Sequence, residues 1–467
     1  MTEVAEPSSA PAPARTERTP RRAPAALPFS FVDRALVEGI ADAHAEPGWL
    51  RADRLAALER FEALPVESNL LYTPYLDLRA ASLDDAAPYT GLDGSMAGAV
   101  APEGIAGLIE MREDGLAARS IDAKAAADGV RLLTLPELVA TDEALARSLI
   151  DGAPLLPVQE KLAELSRAAW TAGIVVHVPA GVRVERPIVL RWSLGAPRTL
   201  VGRTLIILED GAEATVVEEL VANDAALPGA QALLSATTEI RLGAGARLAM
   251  ASLQELGPDH VVFQQRRAEI GEGADLRWAL AQLGGRLVRS RVDNVLAGDR
   301  STVEQVEIVF GSDDQLHDLT SYTRHVGRDT TGQLLSKGVL LDRARTYMKG
   351  LIQIEKTAIG TDSFLGEFGM NLSRSARAVA IPSLEIDQPD CRRAAHASSV
   401  GPIDENQLFY LESRGIAPDD ARKFIVLGFL EPVVARVPLE EAQDRLRDAL
   451  EAKWAAGLAT TGSATAA

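Results

Sequence analysis

Cysteine is nearly absent: Cys391 is the single thiol in 467 residues. One thiol excludes an internal disulfide framework, fits a reducing compartment, and is too few to hold a metal cluster unaided. Aromatic residues are also scarce, at 4%, so stacking platforms of the kind used on sugars are few. Bases number 48 against 66 acids, for a net charge of −18, and outside the first residues they are scattered. That balance argues against a surface that neutralises phosphates and against electrostatic attraction to an anionic membrane; no nucleic acid or membrane partner is expected. No run of eighteen apolar residues occurs, so no transmembrane helix is expected. The opening stretch TEVAEPSSAPAPARTERTPRRAPAALP carries Glu3 and Glu6 and has no apolar segment of the secretory type. Residues 1–28 therefore read as a disordered tail on a cytoplasmic protein. A G-x-x-x-x-G-K-[ST] loop is missing too, which removes the usual phosphate cradle for binding a nucleotide.

What the chain has is a 47% hydrophobic content and ample length for a sizeable core. From 29 to 150, helical patterns alternate with loops. In ADRLAALERFEALP, Leu55, Leu58, Phe61 and Leu64 recur at helical spacing, and Pro74 marks a passage from helix to loop in SNLLYTPYLDL. This span predicts an N-terminal, partly helical domain.

From 151 to 400 the texture changes to short β-rich runs such as GIVVHVP, RTLIILE and ATVVEEL. Gly181, Gly211, Gly245, Gly273 and Gly298 punctuate them at separations of 30, 34, 28 and 25 residues, within the range of repeat architectures. A glycine takes a positive φ cheaply, and a turn of stacked strands needs that conformation. Coils that each bury a face on their neighbours share one continuous core. The pattern predicts a mainly β fold with a parallel β-helix core. A β-sandwich is the rival, disfavoured because two-residue Asn-Gly and Asp-Gly hairpin turns are rare in this stretch.

Strand character stops near Val400. Asp404 with Gln407 gives a capping-box pattern for a helix ending at Gly415. Pro418 opens a second helix through Phe424, Leu427 and Leu430, which Pro432 interrupts or bends. Pro438 opens a third, carrying Leu446, Leu450 and Trp454. Residues 401–457 thus form a C-terminal helical domain, and 458–467 read as a flexible tail.

The segments HDLTSYTRHVGRDTT, KGVLLDRARTYMKGLIQI, ARAVAIPSLEI, HASSVGPIDENQLFYLESRGI and ARKFIVLGF resemble, in order and spacing, the shared body of the SufB/SufD family of SUF iron–sulfur cluster assembly proteins. The likeness is strong over the last third and weaker through the β-rich middle. In the N-terminal span, RFEALP and LYTPYLDL look like the SufD branch. TDSFLGEFGMNLS lacks the strand cysteine of SufB proteins, and Ala395, His396 and Ala397 stand where SufB proteins carry a Glu-His-Glu cluster. Many SufD members place a cysteine two residues before the histidine, where this chain has Ala394.

The resemblance implies a right-handed β-helix between two helical domains and a scaffold role without catalysis. It also implies C-terminal helices that dock the SufC-type ATPase, and pairing with a SufB-type paralogue, and it leaves room for a homodimer in isolation. No tightly bound cofactor is implied, only a transient iron–sulfur cluster shared with a partner.

His396 is the candidate iron or cluster ligand, since imidazole binds iron and the resemblance falls on this position; the bland reading is a hydrogen-bonded packing residue. Cys391 is the second candidate. Residues five apart in a regular strand face opposite ways, which leaves it as a small semi-buried apolar residue. Asp313, Asp314, His317 and Asp318 have the composition of a metal or acid–base site, yet they fall at a coil turn, where Asp caps backbone. Glu385 is expected to face solvent or a partner, with Leu384 and Ile386 toward the core. Phe424, Leu427, Phe429 and Leu430 are the candidates for the ATPase interface. Two rivals remain: a β-helix carbohydrate-active enzyme using Asp313, Asp314 and Asp318, and a cluster-bearing SufB-type paralogue.

Overall fold

The computed structural model describes residues 29–83, 88–89, 104–150, 160–437 and 439–464, with side chains described as far as 456. The expected disordered tail, Pro438 as a helix opener and the last three residues lie outside the described residues.

Helices α1 (Arg34–Ala43) and α2 (Gly48–Ala63) come first. The strands β1 (Gly107–Arg112) and β2 (Gly115–Ile121) follow, then α3 (Ala123–Ala127), β3 (Arg131–Thr134), α4 (Leu135–Thr141), α5 (Glu143–Ile150) and α6 (Lys161–Ala169). The central strands are β4 (Ala172–Val178), β5 (Ile188–Leu194), β6 (Thr199–Leu208), β7 (Glu213–Ala222), β8 (Ala232–Leu242), β9 (Arg247–Glu255), β10 (His260–Ile270) and β11 (Asp275–Gln282). They continue as β12 (Leu287–Leu296), β13 (Thr302–Gly311), β14 (Leu316–His325), β15 (Thr331–Leu340), β16 (Arg345–Ile354), β17 (Asp362–Asn371), β18 (Arg377–Ile386) and β19 (Arg393–Pro402). The chain closes with α7 (Glu405–Ser413), α8 (Pro418–Val434) and α9 (Glu440–Ala464).

Successive strands from β4 onward alternate between two sheets, so each coil contributes one strand to each. One sheet has nine strands in the order β18-β16-β14-β12-β10-β8-β6-β4-β3. The other has ten, in the order β19-β17-β15-β13-β11-β9-β7-β5-β1-β2. From β4 to β19 the pairing is parallel. The result is a parallel β-solenoid of about eight turns, as the repeat predicted, and not a sandwich.

Aligned residues in parallel strands face the same way, so each interior position becomes a column along the axis. One column runs Glu218, Ser252, Leu280, Glu307, Ser336, Glu367, Ser398. Apolar columns, including Ile206, Ile240, Ala268, Leu248, Leu276 and Val303, fill most of the rest.

One turn recurs in register along an edge. Gly181, Gly211, Gly245, Gly273, Arg300, Asp329 and Gly360 all have φ between 54° and 77°. Each donates its N–H to a carbonyl of the following coil: Gly181 to Asp210, Gly211 to Ala244, Gly245 to Glu272, Gly273 to Asp299, Arg300 to Arg328, Asp329 to Ile359 and Gly360 to Asp390. The first four expected glycines hold this role. Gly298 does not; Arg300 takes the left-handed position of its coil, and Asp329 that of the next. Gly298 is glycine for a steric reason, since a Cβ there would meet the backbone of Gly271 and Glu272 on the coil beneath.

The N-terminal span is partly helical as expected, and it also contributes strands. β1, β2 and β3 belong to the two sheets: β1 pairs with β5, and β3 runs antiparallel to β4. The hairpin between β1 and β2 turns at Glu113 and Asp114, with Gly115 at φ 121°. This Asp-Gly pair is the signal that the helical reading passed over. These antiparallel strands close one end of the solenoid. Helices α1, α2, α4, α5 and α6 cover the nine-stranded sheet, burying Phe29, Leu50, Leu58, Phe61 and Trp170 against Val175, Val201, Leu205, Val261, Phe263 and Leu287. Tyr75, in a single 3₁₀ turn (Thr73–Tyr75), packs on Tyr347 with ring centroids 5.6 Å apart and the planes tilted by 55°.

The ten-stranded sheet is covered by α8 and α9. Val426, Leu430, Val433, Val434, Leu446, Leu450 and Trp454 pack on Leu253, Ala279, Val306, Ile308 and Phe310. Pro432 lies inside α8 without ending it. Helix α9 runs on to Ala464 where a flexible tail was expected from 458; alanine-rich sequence carries it through Gly457 and Gly462, each at a cost of about 1 kcal/mol.

Candidate interaction surfaces

At its C-terminal end the solenoid has no antiparallel closure. β18 and β19 are the outermost strands of their sheets, each ten residues long, and among the described residues no strand pairs with their outer edges. Their burial is correspondingly poor. β19 has no buried residue, whereas every residue of β6 is buried.

His396 lies on β19 opposite Leu365 of β17. Leu365 is buried inside the solenoid, so the aligned His396 continues an interior column, but with no coil beyond it the imidazole is exposed. Cys391 precedes β19 and is half-buried, packing on a cluster that contains Ile354, Ala358 and Leu365. The strand-alternation reasoning therefore does not govern this pair, and no hydrogen bond joins the two residues. Among the described residues no group of three His, Cys, Asp or Glu side chains converges on a metal position. Glu385 is exposed as expected. Leu384 packs on the interior cluster, and Ile386, aligned with the buried Ile354, continues an interior column as expected but is 46% exposed because no coil stacks beyond it.

The acidic cluster is dispersed. Asp313 sits at a turn with φ 52° and Asp314 is exposed, paired with Arg343 at 2.6 Å. His317 is buried inside the solenoid, and burial, together with the charge of Lys453, depresses it to about 3. Asp318 points the other way, out of the nine-stranded sheet, where it meets Lys349 at 2.5 Å and Arg289 at 2.6 Å. Burial pushes its carboxyl up, but these two cations outweigh that and hold it below the usual range. Asp313, Asp314 and Asp318 share no common groove on which hydrolysis would depend.

The four candidates for the ATPase interface separate. Phe424 is 60% exposed. Leu427 and Phe429 pack partly on the solenoid, with Lys337 Nζ 4.5 Å from the centre of the Phe429 ring. Leu430 is fully buried against the ten-stranded sheet, so it belongs to this chain's own core and not to an interface. Apart from Phe424, these apolar side chains of α8 are covered, wholly or in part, by the flank of the solenoid. Sequence reasoning placed the helix between Asp404 and Gly415 but not its exposed surface: α7 buries no residue and exposes Phe409 at 73% and Tyr410 at 56%. The signal was present in QLFYLES, whose bulky residues occupy adjacent positions instead of one helical face. Asp404 caps α7 through the Asn406 N–H, and Gly415 at φ 86° ends it.

The interior carries a polar file that composition did not reveal. Arg266 bridges Glu218 at 2.8 Å and Ser252 at 3.0 Å. Asn294 accepts from Trp278 and donates to Gln305, which in turn donates to Ser321 at 2.6 Å. Burial raises Glu307 to about 7 and Glu367 to about 8. Glu367, accepting from the Ile381 N–H at 2.9 Å, lies one coil from the open end.

Residues 192–429 match the family model described as the SufBD core domain of SUF system FeS cluster assembly. The chain belongs to this family, the SufB/SufD proteins of iron–sulfur cluster assembly. Within it, the chain is most like SufD. It is 27% identical to the iron–sulfur cluster assembly protein SufD of Bacillus subtilis over 432 residues, 90% of this chain and 98% of that protein. It is 29% identical over 276 residues to an iron–sulfur cluster assembly SufBD family protein of Mycobacterium leprae, covering 58% of this chain but only 31% of the relative. A SufBD family protein of Staphylococcus epidermidis is 27% identical over 288 residues, 62% of this chain and 61% of the relative. No helix among the described residues is long and apolar enough to cross a membrane.

Proposed function

We propose that this chain is a SufD-like scaffold subunit without catalytic activity of its own. In this reading it pairs with a SufB-type paralogue through the open end of its solenoid and holds a SufC-type ATPase on its C-terminal helices. The observation that carries the pairing is the twenty residues of unpaired strand edge on β18 and β19. An uncovered parallel edge is a template for another chain and is normally blunted or covered. Here it is left long, and joining to a similar end would satisfy its backbone groups by β-augmentation. His396, exposed at that end, is then placed for contact with iron or a cluster carried between the two chains as cargo. Cys391, half-buried on the interior cluster, remains a secondary candidate.

The ATPase reading rests on Phe409, Tyr410 and Phe424, exposed aromatics of the type that anchor interfaces. Co-expression with the candidate ATPase and paralogue, followed by size-exclusion chromatography with mass determination, tests the whole proposal. A chain that stays alone under all conditions would overturn it. Phe409→Asp with Tyr410→Asp is expected to weaken ATPase binding at least tenfold by calorimetry, with the thermal midpoint of the chain unchanged because neither side chain is buried. Equal binding by the variant would remove α7 from the interface.

A further inference from the structure

After α2, residues 64–83 cross the outer face of the nine-stranded sheet toward its open end. Glu67 is fixed on β12 and β14 through Arg289 at 2.8 Å, itself bonded to Asp318 at 2.6 Å. Asn69 donates to the Tyr322 hydroxyl of β14 at 2.9 Å and caps the Leu71 N–H. Tyr72, fully buried, donates to the Gly350 carbonyl of β16 at 3.0 Å, and Gly350 lies opposite Pro382, next to Ser383 on the edge strand β18. The chain then turns back, and Asp77 meets Arg345 of β16 at 3.2 Å.

Between these anchors, Leu70 is 86% exposed and Leu71 62% exposed, the first being the most exposed large apolar side chain among the described residues. A segment held by buried charges and a buried tyrosine hydroxyl presents its two leucines in a fixed place, so their outward position is not the sampling of a loose loop. Ile386, also exposed, ends the same edge strand about 10 Å along from Ser383.

We infer that Leu70 and Leu71 form an apolar extension of the pairing surface and pack on the paralogous solenoid when its end joins β18 and β19. This rests on the pairing reading above. Strand edges alone give register-tolerant backbone bonding. A pair of leucines set to one side of the edge adds a side-specific contact that fixes which way the two rods meet. The occupant is a chain of this same solenoid fold, because the leucines lie beside β18, one of the two C-terminal strand edges that such a chain would complete.

The test uses the full chain with the purified SufB-type paralogue, with affinity measured by calorimetry and complex mass by size-exclusion chromatography. Leu70→Asp with Leu71→Asp is expected to raise Kd at least tenfold, with circular dichroism and thermal midpoint unchanged. Leu227→Asp, at an exposed leucine between β7 and β8, far from the open end, serves as the control and is expected to bind as the parent does. If the parent chain binds and the double variant binds equally well, the leucine contact is overturned while the pairing reading stands. If the control weakens binding as much as the double variant, the contact is again overturned, since the loss is not specific to the site. If the parent chain itself does not bind, the pairing reading falls and this inference with it.

Discussion

Arg289→Ala is expected to lower the stability of the chain by about 3–5 kcal/mol, the usual cost of removing one partner from a buried ionic cluster. The guanidinium is 2% exposed and bridges Glu67 and Asp318, whose side chains are each 2% exposed as well. Among the described residues, Lys349, 2.5 Å from Asp318 and 3.9 Å from Glu67, is the cation that remains ion-paired with them. Alanine therefore strands a negative charge away from water, and much of the loss comes from that charge more than from the missing contact. Pairing Arg289→Met with Glu67→Gln removes the surplus and is expected to recover a large part of the stability in urea unfolding. A single variant that costs under about 1 kcal/mol would mean that water reaches the cluster. Because Arg289 also anchors the segment bearing Leu70 and Leu71, the same substitution should weaken pairing with the paralogue, and the rescued variant should regain less of the binding than of the stability.

Glu367→Gln is expected to stabilise the chain at neutral and alkaline pH and to leave it nearly unchanged near pH 4. Burial raises the Glu367 carboxyl to about 8, against 4.5 for an ordinary glutamate. The folded chain thus keeps a proton that the unfolded chain releases. Between those two values the unfolded state binds fewer protons, so stability falls as pH rises, and the loss is complete above the folded value. Each unit of difference is worth about 1.4 kcal/mol, and allowing for relaxation around the site we expect a gain on the order of 2–4 kcal/mol for the amide at pH 8. Thermal midpoints measured from pH 4 to pH 9 should converge at the acid end and separate at the alkaline end. Parallel curves would show that Glu367 does not carry the dependence. Glu307, raised to about 7 by the same cause, should leave a weaker slope in the variant.

The solenoid was legible because its repeat is written in turn chemistry. Gly181, Gly211, Gly245 and Gly273 mark a position where positive φ is required, and glycine announces that position in sequence. The next coils hide it, since Arg300 and Asp329 adopt the same conformation. In its coil the visible glycine, Gly298, marks close approach of the backbone below. A one-letter reading cannot separate these two uses of glycine, whereas stacking does so at once.

The helical end was read in outline but not in facing. Phe424 and Leu430 are six residues apart on one helix, yet one is exposed and the other lies in the core, because what decides is the flank of a sheet assembled from strands far away in sequence. The ionic cluster was illegible for the same reason: Glu67 and Arg289 are 222 residues apart. Asp318 drew notice for the wrong neighbours. Alternation along β14 separates it from His317, and its partners come from adjacent coils.

The poor burial of the last coil sets a gradient along the rod. Interior strands are locked by a neighbour on each side, whereas β18 and β19 have one apiece, and β19 buries nothing. Local opening should therefore begin at this end, with amides of β19 exchanging with solvent earlier than those of β10 or β12. A joined partner would act as the missing next coil and slow that exchange. Under the proposed pairing, the terminus that would recruit the neighbour is also the part whose folding the neighbour would complete, so subunits left without a mate would carry a softer end for proteases to find.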